Sequence, residues 1–266
     1  MTLYFFQYLS RIKLTIKRLP CSMLIMLKFD FHTHTIASGH AFNTVTELVT
    51  TAKKRGMSGL AITDHGPSMK GAPHSGYFEM VANLPKEIEG IKIFSGCEAN
   101  ILNLGGDIDL PPELQNQLDL VLAGLHKRTP FPKTSNINEN TKAIIRALEK
   151  NKIDIIVHPY RIDFPTNIVE TCKAAWRKGV VLEVNLSVLN KFRNSRKLID
   201  EVRKMIRLAI DKDGLLTIGS DSHFSNTLGD DKILKELGIK IPNRILLGGT
   251  AGYKEIISFI SSRKSI

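Results

Sequence analysis

Residues 27–34 read LKFDFHTH, a short apolar run in strand alternation that ends on two histidines two positions apart. Side chains at i and i+2 of an extended segment point the same way, so His32 and His34 can grip one ion. An isolated His-x-His says little, but downstream the same construction returns. GLAITDH ends on His65, IKIFSGCE on Glu98, LDLVLAGLH on His126, IDIIVHP on His158 and LLTIGSDSH on Asp221 and His223, while His40 follows the first run on a glycine loop. Seven of the eight histidines are thus placed at or just past the downstream ends of apolar runs. The runs at 27–32, 58–63, 91–97, 118–125, 153–157, 180–185 and 215–220 are the predicted strands. Stretches of helical periodicity at 44–55, 77–89, 139–151, 166–178, 196–213, 230–237 and 251–263 separate or follow them. Such alternation predicts parallel strands joined by crossover helices. A ring of parallel strands aims its ends at one mouth, where loops supply ligands. Asn43 or Thr44 is placed to cap the first helix and Gly56 to end it, while Asn167 opens and Gly179 closes another.

The 266 residues suffice for one large domain with a substantial core. With 42% hydrophobic and 24% charged residues, the composition is that of a globular protein and excludes collagen, coiled-coil and disordered classes. Cys21, Cys97 and Cys172 are too few and too scattered for a disulfide framework, and with no Cys-x-x-Cys pair a cytoplasmic, reducing setting is expected. The net charge of +11 invites a nucleic-acid reading, but Arg11, Lys13, Lys17, Arg18 and Lys28 precede any acid, and removing those five leaves +6. The remaining cations interleave with acids at 139–152 and 196–213, which describes solvated helix faces better than a binding stripe. A general attraction for anionic substrates remains. MTLYFFQYL precedes the basic run RIKLTIKRLP, the reverse of a secretory signal, and no apolar stretch approaches a membrane span. Residues 1–26 are therefore expected to lie outside the fold, as a disordered tail or an extension from an early start codon, with the domain at 27–266.

An acid directly after an apolar strand is costly if buried unpaired, so Glu98 reads as an ion ligand. The proline after His158 predicts an extended exit from its strand, and Asp221 and His223 repeat the two-apart spacing of the opening pair. Nine ligands exceed what one ion takes, since catalytic zinc commonly has three protein ligands and keeps a place for water. Three ions are the natural count, with Glu98 able to bridge two of them. Imidazole and carboxylate without thiolate suit zinc, manganese or iron, and the histidine excess leans to zinc.

FHTHT, the His40 loop, TDHG, the strand-end Glu98 and His126, HP at 158 and GSDSH together resemble the PHP (polymerase and histidinol phosphatase) superfamily. TDHGPSMKGAPH is similar to its YcdX-type phosphatase branch. The resemblance covers about residues 27–260, with the N-terminal extension and the basic segment after His126 as departures. It implies a distorted seven-stranded (β/α)7 barrel with a trinuclear, usually zinc, centre. By that similarity His32, His34, Glu98 and Asp221 would hold one ion, Glu98, His126 and His158 a second, and His40, His65 and His223 a third. An amidohydrolase barrel also opens with His-x-His, but the resemblance among those enzymes includes a fourth-strand lysine where this chain has His126.

The expected chemistry is in-line attack on phosphorus by a metal-bound hydroxide, with the ions neutralising the equatorial and leaving oxygens. Lys127, Arg128 and Arg161 closely follow ligands and are candidates to receive a substrate phosphate. Asp64 adjoins His65 as a candidate outer-shell acceptor or simply a structural residue. His74, in a Gly/Pro-rich loop, is a candidate substrate contact, and Asn100 and Asn185 lie just past strand ends. Three functions fit: hydrolysis of a small phosphate monoester, phosphodiester or 3'-5' exonuclease cleavage at nucleic-acid ends, and metal sequestration without turnover.

Overall fold

A computed structural model describes residues 27–264; the expectation for residues 1–26 falls outside the described residues. The strands are β1 (Phe29–Asp30), β2 (Gly59–Ile62), β3 (Glu87–Ile88), β4 (Ile91–Asn100), β5 (Leu120–Gly124), β6 (Ile155–Ile156), β7 (Val181–Asn185) and β8 (Leu216–Gly219). The helices are α1 (Val45–Lys54), α2 (Gly76–Ala82), α3 (Pro112–Gln117), α4 (Ile137–Lys150), α5 (Ile168–Arg177), α6 (Leu186–Lys191), α7 (Arg196–Lys212), α8 (Lys232–Glu236) and α9 (Tyr253–Lys264). Seven strands pair in parallel in the order β1-β2-β4-β5-β6-β7-β8, the predicted seven in sequence order, and β3 adds an antiparallel flap on β4.

The predicted helix at 77–89 is the main local correction. It stops at Ala82, and after Pro85, which supplies no backbone N–H, the chain makes a two-residue hairpin. Glu89 (φ 51°) and Gly90 (φ 84°) supply the positive φ at both central positions that such a turn requires.

The ring closes by a seam, not a ladder. Among the described residues, one isolated bridge, Thr33 to Ser222, joins the segments after β1 and β8, with His34 N donating to Ser222 O at 3.0 Å and Asp221 N to His32 O at 2.9 Å. Asp30 Oδ1 accepts from Ser220 N at 3.0 Å just below. Asn43, one of two candidate caps for α1, instead spans this seam, its Nδ2 donating to His34 O at 2.9 Å and Ser222 O at 3.3 Å. Thr44 is the cap, in a reciprocal box with Glu47.

Inside the ring, Phe29, Phe31, Ala61, Phe94, Leu122, Ile155, Val157 and Val181 form an apolar floor, sealed by Ile256 and Ile260 of α9. Outward-facing Ala123, Ile156, Leu182, Val184 and Ile218 pack instead against α4, α5 and α7. Because strand side chains alternate between these layers, polar groups collect at the downstream mouth, above the floor. Among the described residues no helix is long and apolar enough to cross a membrane.

Candidate metal centre

His32, His34, His65, Glu98, His126, His158, Asp221 and His223 meet at that mouth, and His40 stacks against His65 with ring centroids 5.0 Å apart. Strand register explains the convergence. His65 bridges Glu98 across the β2–β4 junction, and Glu98 lies opposite Leu122 in β5, four residues before His126.

The protons of the first pair can be placed. Ser38 Oγ donates to Asp64 Oδ1 at 2.6 Å, so it is free to accept from His34 Nδ1 at 3.1 Å. Glu183 Oε1 accepts from His32 Nδ1 at 2.7 Å. With both Nδ1 atoms donating, both Nε2 atoms present lone pairs when the rings are neutral, and they face each other at 3.1 Å. Two lone pairs so placed repel unless a positive charge lies between them, either a proton held on His32 by its acidic neighbours or a metal ion in its place. Around the same point, Glu98 Oε1 is 3.3 Å from His32 Nε2, and Asp221 Oδ1 is 3.2 Å from His34 Nε2 and 3.7 Å from His32 Nε2. Four ligands at about 2.0–2.1 Å from zinc stand roughly 3.3 Å from one another. The residues fit the group.

The other side of Glu98 repeats the pattern, with Oε1 2.9 Å from His126 Nε2 and 3.2 Å from His158 Nε2, and those two nitrogens 3.3 Å apart. Glu98 Oε2 approaches His65 Nδ1 at 2.7 Å, but neither atom has a hydrogen-bond partner of acceptable alignment. His34, His65 and His223 bring ligand atoms within 4.8 Å of one another, as do His32, His34 and Asp221, and His65, Glu98 and His126. His40 stands at the edge, 4.9 Å ring to ring from His223, its buried Nδ1 unpartnered.

Electrostatics follow from burial among mixed charges. Burial opposes charge on Glu98, but His65, His32 and His126 hold its carboxyl well below the usual range. Asp221 is likewise held well below its usual value, against burial, chiefly by His32 and His34. Burial lowers His34, helped by His223 and His65, and brings His158 down to about 3. His32 runs the other way: burial disfavours its charge, yet Glu183, Glu98 and Asp221 raise it well above the usual value. Glu98 and Asp221 are therefore ionised, and His34 and His158 neutral, which are the protonation states that ligate metals.

Two candidate ligands depart from the extended backbone expected of them. His158 has φ 35° and Asp221 φ 54°, in the left-handed region that non-glycine residues seldom occupy. The proline after His158 does not produce an extended exit; Glu183 Oε2 accepts from His158 N at 2.9 Å and fixes the turn. Asp221 and His223 are neighbours through a turn, not through strand alternation, with His223 Nδ1 3.0 Å from Asp221 O. Strain of this kind persists where surrounding bonds over-determine it.

The remaining candidates divide. Asp64 touches no imidazole; it accepts from Thr35 N, Thr35 Oγ1, Ser38 Oγ and Tyr77 Oη at 2.6–2.8 Å, and reaches His34 only through Ser38. Asn185 ends β7 and donates to Glu183 Oε2 at 3.0 Å and Asp221 Oδ2 at 3.3 Å, whereas Asn100 is held by Asp109. Lys127 pairs with Asp163 at 2.7 Å, and half-buried Arg161 with the same acid at 3.4 Å. Arg128 is exposed. Exposed His74 lies against Gly76 ahead of α2 and joins none of the imidazole contacts. Glu183, central to the arrangement, was not among the candidates; an acid inside the apolar run VVLEVN is its one sequence signal.

Residues 30–232 match the PHP domain family. The chain belongs to that family. A probable phosphatase of Shewanella piezotolerans is 40% identical over 88% of this chain and 93% of its own length. One from Proteus mirabilis is 37% identical over 89% of this chain and 95% of its own. Among solved structures, the Lactococcus lactis histidinol phosphate phosphatase, complexed with zinc, L-histidinol and phosphate, superposes with a TM-score of 0.57. It covers 80% of this chain and 95% of its own, at 17% identity, a likeness of fold.

Proposed function

We propose that this PHP protein is a metal-dependent phosphatase that hydrolyses phosphate monoesters of small molecules at a centre of three divalent ions, zinc first, with manganese or iron as alternatives. The facing Nε2 lone pairs of His32 and His34, 3.1 Å apart with Glu98 and Asp221 around them, carry this reading. His32, His34, Glu98 and Asp221 would hold one ion, Glu98, His126 and His158 a second, and His40, His65 and His223 a third. When bound, such ions supply Lewis acidity and bring the pKa of water toward about 7.

The chain's own part is positioning and charge. Glu183 and Ser38 keep His32 and His34 in the tautomers that leave Nε2 free, as outer acceptors of ligating imidazoles do. The apolar floor excludes water from below, which strengthens every charge interaction above it. Arg161, whose buried Nε lacks a partner and which lines one cavity with His158, would orient the phosphoryl oxygens. Similarity to probable phosphatases at 35–40% identity supports the reaction class. Free, buried Cys97 and Cys172 suit a cytoplasmic setting.

Elemental analysis of protein purified without affinity-tag metals, joined to assays on p-nitrophenyl phosphate and a labelled oligonucleotide, tests the proposal. About three equivalents of transition metal and release of phosphate from the small ester are expected. Fewer than about two equivalents, with no recovery on adding zinc or manganese, overturns the mechanism. Shortening of the oligonucleotide without monoester turnover would make the protein a nuclease, and metal without either reaction a sequestering module.

A further inference from the structure

Beside the metal centre lies an open basin of about 530 Å³ lined by Lys70, Lys127, Arg128, Lys133, Asp163 and Phe164. Its charge is unbalanced. Asp163 is the one acid lining it and is already engaged by Lys127 and Arg161. Among the described residues no carboxylate pairs with Lys70, Arg128 or Lys133 within 4.0 Å.

The basin is built into the site. Lys70 N donates to Arg128 O at 3.3 Å, joining the loop after β2 to the loop after β5. The turn at Lys70 and Gly71 carries the His40 loop so closely that a Cβ on Gly39 would lie 2.1 Å from Gly71 O. Arg161 connects the basin to His158, and its buried Nε lacks an acceptor. Cations of several loops thus surround one concavity at the rim of the ligand cluster, too wide for the reacting phosphoryl group alone. Its volume lies in the range of small-molecule pockets of about 300–1,000 Å³. It is a basin, where a nucleic-acid strand needs a groove that tracks a backbone.

We infer that this basin is a second anion site, and that the substrate is a small molecule with two anionic groups: a phosphate ester cleaved at the metal centre, and a second phosphate held by Lys70, Arg128 and Lys133. The inference rests on the phosphatase reading. In each turnover one P–O ester bond is exchanged for a P–O bond from water, the leaving oxygen takes a proton, and the second phosphate departs on the alcohol. Complementary charge at the rim favours capture and is screened by salt.

The test compares glucose 1,6-bisphosphate with glucose 6-phosphate on metal-replete protein at low and high salt, beside the charge-reversed Lys70→Glu/Lys133→Glu variant. The native protein is expected to prefer the bisphosphate by roughly tenfold in kcat/KM at low salt, falling toward parity in the variant and as salt screens the pair. Both lysines are exposed, and a thermal melt matching the native one shows that the variant folds. A preference near one, or one unchanged by salt and by charge reversal, overturns the second site while p-nitrophenyl phosphate turnover leaves the phosphatase reading standing. Should no ester be cleaved, calorimetric titration of the two sugars still decides, since equal affinities reject the site. Displacement of the bisphosphate by a short oligonucleotide at lower concentration would assign the basin to nucleic acid instead.

Discussion

Glu183 is a fully buried carboxylate on the inward face of β7, with Oε1 on His32 Nδ1 and Oε2 on the backbone of His158. It ties ligands of two ion positions together without being a ligand in the proposed centre. Losing an outer acceptor of this kind typically costs 10–100-fold in metal affinity. Glu183→Gln should therefore weaken zinc binding by about that factor in chelator competition while the protein stays folded. Gly219→Ala should act in the same direction, since a Cβ there would sit 2.0 Å from Glu183 Oε1 and 2.8 Å from His32 Cβ. Unchanged affinity in both variants would reduce Glu183 to a structural role. Glu98, whose Oε1 lies within 3.3 Å of His32, His126 and His158, carries a different expectation. Glu98→Ala should lose more than one ion by elemental analysis, and loss of a single ion removes the bridging assignment. Nine proposed ligands were legible as residues because each ends an apolar run or its loop. Glu183 was not, because a mid-strand acid gives no sign of which neighbour will occupy the other end of its hydrogen bond.

At the scale of elements, Asp119 anchors the start of β5 to β4. Its Oδ2 accepts from Ser95 N and Ser95 Oγ at 3.0 Å and from Lys86 Nζ at 2.7 Å, and Lys264 of α9 stands 3.5 Å from Oδ1. Burial alone would raise its pKa, but Lys86 and the Ser95 bonds hold it below the usual 3.8. A carboxyl whose folded pKa is depressed contributes stability above its unfolded value, and that contribution fades as the pH falls through the folded one. Asp119→Ala should cost about 1–3 kcal/mol at neutral pH in chemical denaturation, because Ser95 N loses its acceptor. The gap to the native protein should narrow below pH 3.8; a constant gap would mean that the carboxylate charge adds nothing. Strand existence and order were readable because seven apolar runs alternate with amphipathic stretches. Pro112–Gln117 and Leu186–Lys191 were not read as helices, since six residues give less than two turns of periodicity. The hairpin at Glu89 and Gly90 was hidden because the apolar residues before it also fit a helical face.

For the whole molecule, the proposed centre and the seam of the ring are one construction. His32 and His34 approach it from β1, Asp221 and His223 from β8, and few direct bonds join those strands. Ions held between the two sides would supply the closure that the missing ladder does not. At a free-ion concentration a thousandfold above Kd, a bound ion stabilises the folded state by about 4 kcal/mol. With about 2–4 °C of Tm for each kcal/mol in a domain of this size, chelation should lower Tm by roughly 8–16 °C for each ion held this tightly, and zinc should restore it. The loosening should be uneven. Hydrogen exchange after chelation should rise at His34 and Asp221, whose amides cross the seam, and stay slow at Leu122 and Ala123 in the β4–β5 ladder. Equal acceleration at both places would mean that the ions stabilise the molecule as a whole and not its seam, and an unchanged Tm would mean that the ring closes without them.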